Sequence, residues 1–194
     1  MRRRESSRAP STQTRWSARL LGALVWATPL CVASAPEEYA LKAAYLYNFV
    51  KYIQWPAESF AAETDPYRVC VVGKDPFGEH LRRAIEGKTV RNRTFVVQHF
   101  ERAGSELQLC HLLFVSRDEA LEAAVLKIVG DRSIVTVGEQ SFARRRGVAS
   151  FVRTSDGFTV ELNSEVARAR QLRVSSRLQQ VTTQVSEETV PASQ

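Results

Sequence analysis

The order of apolar and polar positions divides the chain into one long helix followed by alternating strands and helices. Residues 38–55 (EYALKAAYLYNFVKYIQW) hold no Gly or Pro and stop at Pro56, as a helix does where proline disfavours another turn. At about 100° per residue, Leu41, Tyr45, Phe49 and Tyr52 fall on one side and Leu46, Val50 and Tyr47 well round the other. A helix so nearly apolar all round is expected to be buried on more than one side. Arg68–Gly73 (RVCVVG) is a continuous β-branched run suited to a strand covered on both faces. Asp75-Pro76 predicts the N-cap and first position of a helix running through Leu81 and Ile85 to Gly87. A second strand is expected over 93–100, a short helix or loop over 101–108, and a third buried strand over 111–116. Residues 118–129 form a helix with Leu121, Val125 and Ile128 on one face and Gly130 past its end. A fourth strand covers 133–138, and a short helix over 140–146 ends at Gly147. Residues 148–153 and 158–162 alternate around Ser155-Asp156-Gly157, the pattern of a hairpin. Two helices with Ser caps follow at 164–169 and 175–183, and residues 185–194 form a polar, disordered tail. Strands alternating with helices predict an α/β fold. It is a single three-layer domain, its mostly parallel sheet flanked by helices and closed by a C-terminal antiparallel hairpin.

The first 35 residues change how the charge is read. Residues 1–19 carry six Arg, an apolar run of 13 residues follows from Leu20 to Val32, and Ala33-Ser34-Ala35 closes it. Basic stretch, apolar stretch and small residues are the layout of a cleaved secretory signal, and the run is too short for a bilayer span of about 20 residues. Cleavage is expected to leave a mature start between Ser34 and Pro36, so residues 1–35 are the leader, 36–184 the folded domain and 185–194 the tail. The full chain has 27 Lys+Arg against 21 Asp+Glu, but the leader holds six Arg and one Glu, so the remainder carries 21 against 20, a net of +1. The basic balance belongs to the leader, and nucleic acid is not an expected partner.

Export also changes the reading of the cysteines. Cys70 lies inside the first buried strand and Cys110 immediately before the third. Those strands are commonly neighbours in a doubly wound sheet, so an oxidising compartment predicts a Cys70–Cys110 disulfide.

Candidate chemistry is sparse. Gly73–Gly78 (GKDPFG) follows a strand and opens a helix, yet it lacks both the lysine–hydroxyl pair of a P-loop and a G-x-G-x-x-G. His80, His99 and His111 are scattered, with no carboxylate or Cys at zinc-ligand spacing. Ser175-Ser176 suits a helix cap better than a nucleophile. The third strand ends Val115-Ser116 where a phosphoacceptor receiver needs an Asp. Arg144-Arg145-Arg146 predicts a solvated loop or an acidic-partner surface. No catalytic set, cofactor or metal is expected. If the fold binds a small ligand, the carboxyl ends of the parallel strands are the place, and Gly73, Lys74, Ser116 and Gly138 would line it.

Five segments in order, KAAYLYNFVKYIQWP (42–56), VCVVGKDPFG (69–78), CHLLFVS (110–116), IVTVGEQSFARRRGVASF (134–151) and VELNSEVARARQLRVSSRL (160–178), resemble the YfiR-like family of small exported proteins. The chain departs from the family where Gln179 and Gln180 follow Leu178 and where Gly147 stands alone. The resemblance implies a non-catalytic periplasmic repressor of an inner-membrane diguanylate cyclase, which limits cyclic di-GMP and biofilm formation. It also implies dimers and an outer-membrane lipoprotein that relieves repression. Tyr45, Phe49 and Trp55 of the first helix are expected to pack either against the C-terminal helices of the same domain or against another chain, and Asn163 with Arg170, Arg173 and Arg177, in the densest part of the resemblance, is the other candidate partner surface. The competing reading is a small-ligand-binding or sensing module serving a different membrane receptor or transporter.

Overall fold

The computed structural model describes residues 35–186. The expected leader, apart from its last residue, and the tail beyond 186 lie outside them. Helix α1 (Ala35–Tyr52) leads into β1 (Ile53–Gln54), β2 (Tyr67–Val72), α2 (Glu79–Ile85) and β3 (Phe95–Phe100). A 3-10 turn over Ser105–Leu109 precedes β4 (Leu112–Val115), α3 (Glu119–Val129) and β5 (Val135–Glu139). A further 3-10 turn, Gln140–Arg145, leads to the hairpin β6 (Ala149–Thr154) and β7 (Gly157–Leu162). The chain closes with α4 (Ser164–Ala169), β8 (Arg173–Val174), α5 (Ser176–Gln180) and β9 (Thr183–Gln184).

Seven strands form one sheet in the order β3-β2-β4-β5-β6-β7-β9. Neighbours from β3 to β6 are parallel, β6–β7 is an antiparallel hairpin, and β7–β9 is parallel. The result is an α/β domain with a mostly parallel sheet between helical layers, as the periodicity predicts. Successive residues of β2 point to opposite faces, so its unbroken apolar run serves two cores. Val69, Val71, Leu112, Phe114, Val135 and Val137 lie in a core shared with α1 and α2. Cys70, Val72, Leu113 and Val115 lie in the other, with α3 and Phe142. Among the described residues no helix is long and apolar enough to cross a membrane.

Several boundaries depart from expectation. Helix α1 stops at Tyr52, because Ile53-Gln54 pairs antiparallel with Val174-Arg173 in a separate two-stranded sheet. Only one side of α1 is fully buried, through Ala43, Leu46, Phe49 and Val50, while Leu41 is 53 % exposed. Asp75 does not cap α2. Its Oδ1 accepts from the amides of Phe77 at 2.8 Å and Gly78 at 3.3 Å, closing a turn that delays the helix to Glu79. Helix α4 is capped not by Ser164 but by Asn163, which accepts from the Val166 amide at 3.0 Å. Elsewhere local signals hold. Asp118 accepts from the Leu121 amide at 2.8 Å at the start of α3, and Ser175 caps α5, which ends at Gln180 and not at Thr183 because Thr183-Gln184 pairs with β7 as a strand.

Candidate functional site

Counted among themselves, the five parallel strands run 2-1-3-4-5, so the chain reverses its direction of travel between β2 and β4. Ligand crevices of doubly wound sheets open at the carboxyl ends of such strands. Here Gly73 leaves β2 with φ of +84°, and a Cβ added to it would stand 2.1 Å from Ser116 Oγ. Glycine thus lets the ends of β2 and β4 close together. Ser116 Oγ accepts from the Lys74 amide at 3.2 Å. A cleft of about 710 Å³ opens there, with Tyr39, Lys74, Phe77, Phe114, Ser116 and Glu139 in its lining.

Of the four residues expected at this site, Lys74 and Ser116 line the cleft and Gly73 packs against Ser116. Gly138 is not available to a ligand. Phe142 covers it so closely that a Cβ would lie 2.4 Å from the ring, so its small size serves packing.

The charged wall of the cleft escapes sequence reasoning. Glu139 Oε1 accepts from Lys42 Nζ at 2.7 Å and from the Tyr39 hydroxyl at 3.1 Å. Lys42 is 4 % exposed and also pairs with Glu38 at 2.7 Å. Burial alone would push its ammonium down, but the bonds to Glu139 and Glu38 outweigh burial and hold its pKa above the ordinary value. Burial and the adjacent Glu139 charge raise the Tyr39 phenol as well. The signal present in the sequence was a lysine inside an otherwise apolar stretch; its partner lies 97 residues away.

The residues expected to meet a partner separate into two groups. Phe49 is wholly buried beneath Phe151. Asn163 is buried too, with its amide donating to the Ala143 carbonyl at 3.1 Å while it caps α4. Arg170 is buried among neutral acceptors. These three build the fold and offer a partner no surface, which corrects the expectation for them. Tyr45 is half-buried, its ring set against Phe151 and Phe158.

Trp55, Arg173 and Arg177 are brought together. The β1–β8 pairing sets Gln54 opposite Arg173, and Ser175 N donates to the Tyr52 carbonyl at 3.0 Å. Trp55 and Arg173 line a cleft of about 640 Å³ with Glu58 and Arg168. Arg177 hydrogen-bonds the Tyr52 hydroxyl and lowers its pKa. Arg168, Arg173 and Arg177 are all exposed. Trp55 is half-buried and donates through Nε1 to the His111 carbonyl at 3.2 Å, so its ring is fixed beside the exposed Arg168 and Arg173 of the cleft.

The Arg144-Arg145-Arg146 run is largely committed within the domain. Arg144 pairs with Glu161 at 2.6 Å. Arg145 pairs with the buried Glu122 and, at 3.4 Å, with Glu119. Burial raises the Glu122 pKa against the pull of Arg145. Arg146 takes a left-handed φ of +74°.

His111 is structural. Its Nδ1 accepts from the Arg68 amide at 3.0 Å, so Nε2 carries the proton and donates to the Ser59 carbonyl at 3.0 Å. Phe60 stacks on its ring at 4.4 Å. Burial lowers its pKa. Cys70 and Cys110 form a disulfide with Cα atoms 6.0 Å apart, joining β2 to the turn that precedes the neighbouring strand β4. Cys110 enters from the turn before β4, a position set by its amide bond to the Leu107 carbonyl at 3.2 Å.

No curated protein matches the chain. A family model described as YfiR/HmsC-like matches residues 39–183. That span runs from the first turns of α1 to the start of β9 and takes in both clefts, and the chain belongs to the YfiR/HmsC-like family.

Proposed function

We propose that this protein is an exported, non-catalytic regulator that binds the periplasmic part of an inner-membrane diguanylate cyclase and holds it inactive. The observation that carries this reading is the family match over residues 39–183. Membership supports a periplasmic regulator of a diguanylate cyclase in general. The specific docking face is our own assignment: Trp55 as apolar anchor, with Arg168, Arg173 and Arg177 steering an acidic partner surface. Repression lowers cyclic di-GMP and biofilm formation. Release falls to a second envelope protein, an outer-membrane lipoprotein, and the regulator acts as a homodimer.

The test is genetic and quantitative. Deleting the gene in its own host raises cyclic di-GMP. Arg173→Glu with Arg177→Glu does the same at unchanged protein level and circular dichroism. A flat nucleotide level after deletion under every growth condition tried removes the repressor reading.

The switch-point cleft favours a second reading, a small-ligand sensor serving another membrane receptor or transporter. Its polar lining, Lys74 and Ser116, lies where open parallel sheets take ligands. Ligand-dependent protection of the Lys74–Glu79 segment from hydrogen exchange would separate this reading from the first.

A further inference from the structure

Strand β3 is the outer strand of the sheet and pairs only with β2. The Thr94 and Phe100 carbonyls accept from the Tyr67 amide at 2.9 Å and the Gly73 amide at 2.8 Å. Backbone groups turn to alternate sides along a strand. Val96 and Gln98 therefore face β2 as well, while Phe95, Val97 and His99 turn their N–H and C=O groups outward. Among the described residues nothing bonds those outward groups. The opposite edge of the sheet, β9, is only two residues long. The β3 sequence FVVQHF holds no Pro, Lys or formal charge, so it lacks the guards that keep an edge strand from pairing. Val96 is 42 % exposed on it. A groove of about 820 Å³ lies between α2 and this edge, with Leu81 and Ile85 on the helix side and Phe95, Val97 and His99 on the strand side. The residues with free backbone groups thus also line a space that alternate side chains of one added strand can fill.

The charges of the groove favour a strand of its own kind. Asp75 is taken up by the turn before α2, Arg82 pairs with Glu79 at 2.9 Å, and Lys88 lies over the Tyr47 ring at 4.4 Å. Arg83 and Glu86 remain exposed and, among the described residues, in no ion pair. One free charge of each sign selects neither an acidic nor a basic peptide, whereas an identical groove offers each its opposite. We infer that β3 is the dimer interface: the β3 strands of two copies pair antiparallel about a two-fold axis at Val97 and join the two sheets into one. Val97 then exchanges both bonds with the Val97 of the other copy, and Phe95 does so with its His99, which uses every outward group of both edges. An axis at Val96 or Gln98 would leave one of the three residues with no partner in the strand. On the opposite face Val96 comes to lie against Gln98 of the other copy, which covers its exposed side chain. This interface rests on the homodimer reading above and not on the identity of the membrane partner.

The test uses purified mature protein. Sedimentation across a concentration series gives the oligomeric state, and amide hydrogen exchange is read residue by residue on the same samples. A dimer is expected, with the Phe95, Val97 and His99 amides slowing in step with its formation. Val97→Pro removes an amide that β2 does not use, and Val96→Lys with Gln98→Lys sets like charges opposite each other across the axis. Each should raise the dimer dissociation constant by about tenfold or more at unchanged circular dichroism. The lysine variant serves should the proline one fail to fold. A monomer at every concentration overturns the interface together with the homodimer reading. Protection gained by that monomer only on adding periplasmic extract of the host would assign the edge to a foreign strand and likewise overturn pairing with a second copy. A dimer whose three amides still exchange fast, or one that the folded variants leave intact, overturns this interface alone and leaves the homodimer standing.

Discussion

Lys42 and Glu139 stand 97 residues apart in sequence and 2.7 Å apart in space, joining the first helix to the end of the central strand β5. The contact ties the wall of the switch-point cleft to the layer above it. Both side chains are largely withdrawn from water, at 5 % and 15 % exposure. Each is therefore held by the other more tightly than a surface pair would be.

Removing one partner leaves the other charge without compensation. Lys42→Met alone is expected to destabilise the domain by about 3 kcal/mol, whereas Lys42→Met with Glu139→Leu should recover a large part of that. Urea unfolding of the single and double variants measures the coupling. Additive losses would show that the pair is not coupled. The pair also sets an alkaline limit. The folded-state pKa values of Lys42 and Tyr39 are raised, so folding favours their protonated forms. That stability is full below the unfolded values of about 10 and is lost as pH rises through the folded ones. The melting temperature should fall in that window, and less steeply in Lys42→Met.

His111 gives the opposite slope on the acid side. Its folded pKa lies below the ordinary value of 6.5 because of burial, so the unfolded chain binds the proton first. The associated stability is complete above about pH 6.5 and declines as pH falls below it. Protonation also removes the acceptor at Nδ1 that the Arg68 amide uses. Melting temperature measured between pH 7.5 and 5.5 should drop more in the parent protein than in His111→Gln. Equal slopes would remove His111 as the cause.

The Cys70–Cys110 bond closes a span of 40 residues, worth about 4 kcal/mol in the chain-entropy account. Cys70→Ala with Cys110→Ala should fold, because a core of this size does not need a staple, but at a clearly lower urea midpoint. Reduction of the parent protein by dithiothreitol should bring it to the same midpoint.

Gly73 is the least replaceable residue of the cleft. Alanine there meets both a left-handed φ of +84° and the Ser116 hydroxyl at 2.1 Å. Gly73→Ala should cost about 2 kcal/mol or more, the sum of backbone strain and forced displacement. Ser116→Gly in the same chain should return the Ser116 share of the steric cost and leave the backbone part together with the contact to Leu121 Cδ2, 2.6 Å from the added Cβ. A second substitution that returns nothing would remove Ser116 as a cause of the loss.

Local periodicity and capping determined which stretches are helices and which are strands. Such signals act within a turn or two: Asp118 reaches the Leu121 amide, and Gly130 can take the φ of +54° that ends α3. The apolar runs at 69–72 and 112–115 identified strands buried on both faces, because neither holds the polar alternation that an exposed face requires. The segments resembling the family were likewise readable in order along the chain, as were the residues that meet at the carboxyl ends of β2 and β4.

Tertiary structure decided what distant residues do for one another. Ile53-Gln54 forms a strand, not the last turn of α1, only because Arg173-Val174 lies beside it. Arg170 and Arg173 share a segment and a charge, yet one is buried against Thr136 and the other faces solvent beside Trp55. Gly138 looks like a ligand-site glycine until Phe142 is folded over it. In each case the deciding free energy comes from a partner dozens of residues away, through burial and pairing that no local pattern encodes.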